Sequence, residues 1–320
     1  MERAKAGVEV RLFYDDIGSI FFINIDFVAR MEASGVRCRV FNPMLPVTNF
    51  FMNNRDHRKL TIIDGKIGYT GGYNLANEYF HLTVPYGFWK DTGIRLEGNA
   101  VNSLTVMFLT MWNAIRSTDK DDTDFARYLR VNPVPDRFPG FVQPFSDSPL
   151  DTECVGENVY INVLNSARHY AWFTTPYLII TDEMARSFVL AAERGVDVRI
   201  ITPGIPDKKL TYRITRSSYR TLVRAGVRIY EFTPGFCHAK QCVCDDHIAV
   251  CGTINLDYRS LYHHFEDAVL MVGCSAIPDM RDDFLGLFSQ CREVTSDYVS
   301  QPPMHTRIHE TVLRLIAPLM

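Results

Sequence analysis

One phrase occurs twice in this chain of 320 residues: histidine, any residue, lysine, four residues, aspartate, six residues, glycine followed by glycine or threonine, one residue, asparagine. The first occurrence supplies His57, Lys59, Asp64, Gly71, Gly72 and Asn74; the second supplies His238, Lys240, Asp245, Gly252, Thr253 and Asn255. With each residue type used at a few per cent, five identities at fixed offsets arise by chance at about one start in a million or fewer. Duplication therefore constrains the fold most strongly, because the architecture must be one that the chain builds twice.

The repeat continues outside the phrase. GVEVRLFY at 7–14 returns inside AAERGVDVRIITP at 191–203, and ASGVRCRVFNP at 33–43 resembles RAGVRIYEFTP at 224–234, each a helix end, a glycine and a valine-led strand. Downstream, DTGIRLEG at 91–98 lies over EDAVLMVG at 266–273, which makes Asp91 and Glu266 counterparts. Asn74 to Asp91 spans 17 positions and Asn255 to Glu266 spans 11, so the first copy carries six extra residues, expected in a loop around YFHLTVPYGFW. Helices and strands alternate through both copies, which predicts an α/β layered fold made of two similar halves related by a pseudo-twofold.

This gives a first half at 1–118, an Asp- and Pro-rich linker at 119–151, and a second half at 152–320. The second half closes on an amphipathic helix in which Ile308, Val312, Leu315, Ile316 and Leu319 share a face. In the second copy HYAWFTTPYLIITDEMARSFVLAAERG supplies a strand and a helix ahead of Gly195, whereas six residues precede Gly7. The first half is accordingly expected to lack its opening strand and helix, leaving an exposed apolar seam beside 7–14.

Composition removes some alternatives. At 47% hydrophobic and 22% charged the chain is ordinary globular material, and it contains no run of 18 apolar residues. A net charge of -3 offers no overall field for a polyanion, so a nucleic-acid partner is not expected. Cys237, Cys242, Cys244 and Cys251 lie in strand-like sequence without a CxxC pair, which reads as buried reduced thiols rather than a zinc centre.

Bringing the two copies together gathers two imidazoles, two ammonium groups and two carboxamides, a set suited to a phosphodiester. One ring can attack phosphorus while the other protonates the leaving oxygen and then deprotonates the incoming alcohol. Lys59 and Lys240 would neutralise the non-bridging oxygens, with Asn74 and Asn255 as hydrogen-bond donors. Residues two apart on a strand share a face, which puts each lysine beside its histidine. Asp91 and Glu266 are the candidates to accept a hydrogen bond from the far nitrogen of a histidine ring. Asp64 and Asp245 sit an odd number of positions away and are read as structural turn residues; Gly71, Gly72, Gly252 and Thr253 allow close backbone approach. His81, in the extra loop, is a candidate substrate contact, while His169, His247, His263, His264, His305 and His309 are read as structural.

The doubled HxKx4Dx6G[GT]xN pattern resembles the phospholipase D superfamily, in which two HKD motifs build one active site between two α/β halves. TTPYLIITDEM, ERGVDVRIITPGIPDKK, GTINLDYRSL and HFE, with YDDIGS, GGYNLANEY and FWKDTGIRLEG, are most similar to bacterial cardiolipin synthases. The resemblance covers nearly the whole chain. It implies transfer of a phosphatidyl group between two phosphatidylglycerol molecules through a phosphohistidine, with His57 as nucleophile, His238 as acid and base, and no metal or other cofactor. It also implies an anionic phospholipid partner at the cytoplasmic face of the cell membrane, in a family whose members usually begin with membrane-spanning helices. The motifs alone leave open a hydrolase, a nuclease of the same superfamily, or an inactive membrane-binding fragment.

Two further stretches bear on lipid access. Arg213, Arg216, Arg220 and Arg224 are spaced by three, four and four and predict one basic helix face for anionic headgroups. FNPMLPVTNFF and VPYGFW are apolar enough to line an acyl-chain entrance.

Overall fold

The computed structural model describes residues 1–20, 23–43, 53–116, 124–129, 140–304, 310–313 and 315. The second half is built around a mixed sheet. Its strands run in the order Cys291–Glu293, Arg228–Phe232, Asp197–Pro203, Tyr170–Thr174, Gln241–Cys244, Ile248–Gly252 and His264–Val272. The three strands around Asp197–Pro203 are parallel and joined by the helices Asp182–Glu193 and Lys209–Arg224, whereas the hairpin after Gln241 is antiparallel. Alternation along each strand sends Cys242 and Cys244 to one face and Val243 to the other.

Each face buries its own core. Leu164, Phe188, Tyr219 and Leu222 fill the side covered by the helices Val155–Ser166, Asp182–Glu193 and Lys209–Arg224. The other side is shared between the halves: Leu96, Val101 and Leu104 of the first pack with Val243, Val269 and Phe284 of the second. Each fully buried large side chain of this kind contributes about 1.5–3 kcal/mol, so the halves are held together by a common core. The thiols of Cys237 and Cys251 are buried in it, and those of Cys242 and Cys244 in the helix-covered core on the other face.

The first half repeats part of this order. Val10–Asp15 pairs in parallel with Val36–Phe41, and Thr61–Ile63, Ile67–Gly71 and Gly93–Glu97 form an antiparallel sheet backed by the helix Ala100–Ile115. In the second half Tyr170–Thr174 joins the parallel strands to the hairpin. Among the described residues no strand does so in the first, and the two sheets stay separate. The edge of Val10–Asp15 is nevertheless not an exposed apolar seam. Phe13 packs on Phe108 at 5.1 Å, Tyr14 on Phe27 at 5.5 Å, and every residue of the strand is partly buried.

Two other expectations need correction. The segment read as linker to Asp151 contains the strand Phe141–Asp147, which runs antiparallel to His264–Val272 through seven residue pairs. Its Pro144 disguised it, yet proline is tolerated on a sheet edge where no ladder N–H is needed. The basic helix face is also not free. Arg216 forks onto Glu231 at 2.9 and 3.1 Å, and Arg220 donates to the carbonyls of Tyr298 and Ser300 and lies 3.6 Å from Glu310. Only Arg213 and Arg224 of the four are exposed. In the described part of the closing helix the buried residue is Leu313, packed with Ile179 and Ile214, while Val312 and Leu315 are exposed. Ile308, Ile316, Leu319, His305, His309 and residues 44–51 of the first apolar loop lie outside the described residues.

Candidate active site

Two short strand pairings across the halves set the site. Arg55–Asp56 lies parallel to His264–Phe265, and the pairing continues as the His57 N–H donates to the Phe265 carbonyl at 2.9 Å. Gly235–Cys237 lies parallel to Phe88–Lys90, and the His238 N–H donates to the Lys90 carbonyl at 2.7 Å. Each histidine therefore enters just ahead of the acidic residue of the opposite half, and the carboxylates are crossed. His57 Nδ1 is 2.9 Å from both oxygens of Glu266, and His238 Nδ1 is 2.7 Å from Asp91 Oδ2. With Nδ1 donating to a carboxylate, the proton is fixed there and Nε2 keeps its lone pair.

Both lysines fold back over their own histidines. Lys59 Nζ donates to the His57 carbonyl; Lys240 Nζ donates to the His238 carbonyl at 2.6 Å and lies over the ring, 2.7 Å from His238 Nδ1 and 2.9 Å from Nε2. The lysine and histidine side chains thus share a side, although the backbone between Gly235–Cys237 and Gln241–Cys244 leaves the sheet there. The Lys59 charge acts on His57, His238 and Lys240 alike, so these groups occupy one electrostatic neighbourhood.

The two pairs are electrostatically unequal. Burial lowers His57 to about 3, against the pull of Glu266 and with the help of Lys59. Burial also acts to raise Glu266, yet His57 and His264 hold it well below the usual carboxylate range. This pair rests as neutral imidazole and carboxylate. Burial, then Lys240 and Lys59, push His238 well down, while burial raises Asp91 to about 6 despite Lys240. Burial lowers Lys240 to about 7. Asp91 and Lys240 are thus both shifted toward neutrality, while burial keeps the His238 ring neutral.

The small residues of the phrase have steric reasons. A Cβ on Gly72 would stand 2.2 Å from Asp91 Oδ1, and one on Gly252 would stand 2.4 Å from the Ala268 backbone. Gly71 backs onto Thr92 and Gly93. Thr253 Oγ1 donates to Glu266, fixing the carboxylate from behind. Asp64 and Asp245 occupy hairpin turns in the left-handed region, at φ 55° and 51°. Asp245 additionally accepts from the backbone N–H groups of Arg168, His169 and Tyr170, at 2.7–2.9 Å. These positions away from the histidines agree with a structural reading.

The asparagines differ. Asn74 Nδ2 donates to Tyr79 Oη at 2.7 Å, and that hydroxyl lies 3.5 Å from His238 Nε2. Asn255 is buried with Oδ1 lacking a hydrogen-bond partner. Tyr79 was not among the residues singled out from sequence, since it sits in the extra loop with no repeat partner. His264 was taken as structural, yet its ring is 5.6 Å from that of His57 and its Nδ1 is 3.6 Å from Glu266 Oε1. Its signal was available, because residues 264 and 266 share a strand face. His57, His264 and Glu266 present ligand-type atoms within 4.8 Å of one another, the one such cluster among the described residues. His81 stacks on Phe88 at 4.5 Å on the exposed rim. A cleft of about 680 Å³ beside Arg37, Arg39 and Trp112 contains none of the paired histidines.

The family model for cardiolipin synthase, PLD-like domain, matches residues 160–287. Over its whole length the chain is 36% identical to a cardiolipin synthase of Clostridium perfringens (strain SM101), spanning 67% of that protein. It is 34% identical to one from Geobacillus kaustophilus, spanning 63%, and 47% identical to an uncharacterized protein of Streptococcus mutans, spanning 68%. The fold is similar to the crystal structure of phosphatidylserine synthase from Haemophilus influenzae Rd KW20, with a TM-score of 0.66 over 99% of this chain and 92% of that one. At 12% identity that likeness speaks for the fold alone. The chain belongs to the cardiolipin synthase family of the phospholipase D superfamily.

Proposed function

We propose that this chain carries the catalytic site of a cardiolipin synthase, transferring a phosphatidyl group from one phosphatidylglycerol to another. His57 Nε2 attacks phosphorus; the P–N bond forms as the bond to the glycerol oxygen breaks, and His238 gives that oxygen a proton. The glycerol leaves. His238 then takes the proton from the hydroxyl of a second phosphatidylglycerol, whose oxygen attacks phosphorus and breaks the P–N bond, giving cardiolipin. Lys59, Lys240 and the carboxamides of Asn74 and Asn255 stabilise the charge that builds on the phosphoryl oxygens.

The crossed pairing of each histidine with the opposite carboxylate carries this reading. Its electrostatic asymmetry supports the division of roles: a neutral His57 held by an ionised Glu266 keeps a nucleophilic lone pair, and the Asp91 side exchanges protons near neutral pH.

A membrane surface as partner is supported by the extra loop. Leu75, Leu82 and Val84 are 85%, 73% and 63% exposed around the turn that carries Tyr79 to His238, and Phe80 and Phe88 join them. Lys208 adds a positive charge that acts on His238. No helix among the described residues is long and apolar enough to cross a membrane. Incubation with phosphatidylglycerol and separation of the products tests the reading: cardiolipin and glycerol are expected. Phosphatidic acid alone would replace transfer with hydrolysis, and no lipid turnover would remove both.

A further inference from the structure

Glu266 faces two imidazoles and satisfies one. His57 Nδ1 lies 2.9 Å from both carboxylate oxygens, whereas His264 Nδ1 stops at 3.6 Å from Oε1. Both ring nitrogens of His264 are shielded from solvent, and the Glu266 carboxylate near them, which the ring helps to keep ionised, stays beyond an ordinary hydrogen-bond distance. Leaving a buried polar group without a partner costs about 1–3 kcal/mol, so this imidazole is poised for something that it can bind. The phosphoryl chemistry above assigns it no part.

The geometry suits a metal ion. The donor atoms of His57, His264 and Glu266 lie within 4.8 Å of one another. In a four-coordinate zinc site with bonds of about 2.0–2.1 Å, neighbouring donors stand roughly 3.3 Å apart. The 2.9 and 3.6 Å separations of the carboxylate from the two rings bracket that spacing, and the two imidazole donors lie within 4.8 Å of each other, a distance the side chains must close around an ion. The Glu266 side chain is fully buried and those of His57 and His264 are 24% and 14% exposed, so an ion can reach the cluster from the histidine side. Two imidazoles and one carboxylate are a donor set for zinc and its neighbours rather than for magnesium or calcium.

We propose that His57, His264 and Glu266 form a binding site for a zinc-like dication, and that its occupation switches the transfer reaction off. The second clause rests on His57 being the nucleophile. The metal bonds to the Nδ1 lone pair of His57, so the proton of the neutral ring moves from Nδ1 to Nε2 with none released from that ring. Nε2 is the atom that must attack phosphorus, and with a proton it has no lone pair to offer. Glu266 turns from the histidine N–H to the metal, and His264 supplies the remaining lone pair. The nearby Lys59 ammonium, whose charge acts on His57, opposes a second cation there.

The full chain is titrated with zinc by calorimetry and with cobalt by visible absorption, and lipid transfer is followed in parallel before and after EDTA. The wild type should bind one ion, show the absorption of a low-coordinate cobalt site, lose turnover and recover it with EDTA. His264→Asn should bind at least about tenfold more weakly; zinc sensitivity is normalised to the turnover of each variant. A thermal shift by zinc in the wild type that is absent in a folded His264→Asn protein provides a readout without activity. No stoichiometric ion in the wild type, or equal binding in His264→Asn, overturns the site. Binding that leaves turnover untouched overturns the switch. If the metal-free wild type has no lipid turnover, the functional reading fails while the cobalt and thermal measurements still decide the site.

Discussion

Replacing Glu266 by glutamine changes one oxygen for an NH2 group at constant volume in a fully buried position. The Thr253 hydroxyl donates to Glu266 Oε2, so the amide oxygen is held there and the NH2 group replaces Oε1, 2.9 Å from His57 Nδ1. That donor competes with the oxygen for Nδ1 and favours a ring that accepts there and carries its proton on Nε2, which removes the attacking lone pair. The lost charge-assisted hydrogen bond is worth about 1.5–3 kcal/mol, or roughly 10- to 150-fold. Where an amide imposes the wrong tautomer on a catalytic histidine, turnover falls by about 10⁴. Glu266→Gln should therefore lower kcat by about 10²–10⁴ with little change in KM, measured as cardiolipin formed from phosphatidylglycerol vesicles. Circular dichroism checks that the variant is folded. A folded variant within about threefold of the wild type, less than the loss of a typical hydrogen bond of about 1 kcal/mol, would refute the reasoning about His57.

Turnover should rise with pH as Asp91 loses its proton near 6 and fall as Lys240 loses its own near 7; Asp91→Asn should abolish the acidic limb of that profile. Asp267 is fully buried, and burial raises it to about 7 despite Thr70 and the Arg58 charge. Its folded pKa lies above the unfolded one, so its contribution is intact below about pH 4 and is lost as pH climbs through 7. The loss is at most about 4 kcal/mol, and urea denaturation of Asp267→Asn should lack this decline. Leu82→Asp with Val84→Asp should weaken binding to phosphatidylglycerol vesicles by about tenfold or more, with turnover of dispersed short-chain lipid retained. Unchanged vesicle binding would remove the rim from the membrane contact.

The repeated phrase made the histidines, the lysines and the acidic counterparts legible, because a motif used twice filters out residues that merely pack. Asp245 could be set aside by strand parity, and the turn geometry at φ 51° agrees. The crossing was not legible: which carboxylate meets which ring depends on Arg55–Asp56 and Gly235–Cys237, strands too short to show periodicity. Pro144 hid an edge strand. The arginine face failed for a different reason, since spacing puts residues on one side of a helix but says nothing of Glu231 or the carbonyls that meet them. Tyr79 reaches His238 from a segment without a repeat partner, where comparison of the copies gives no signal.

The most direct measurement is to quench the enzyme during turnover of labelled phosphatidylglycerol and locate the phosphorus–nitrogen bond by peptide mapping. The account predicts label on His57, lost in His57→Ala. Label on His238, or turnover with no covalent adduct at either ring, would contradict it.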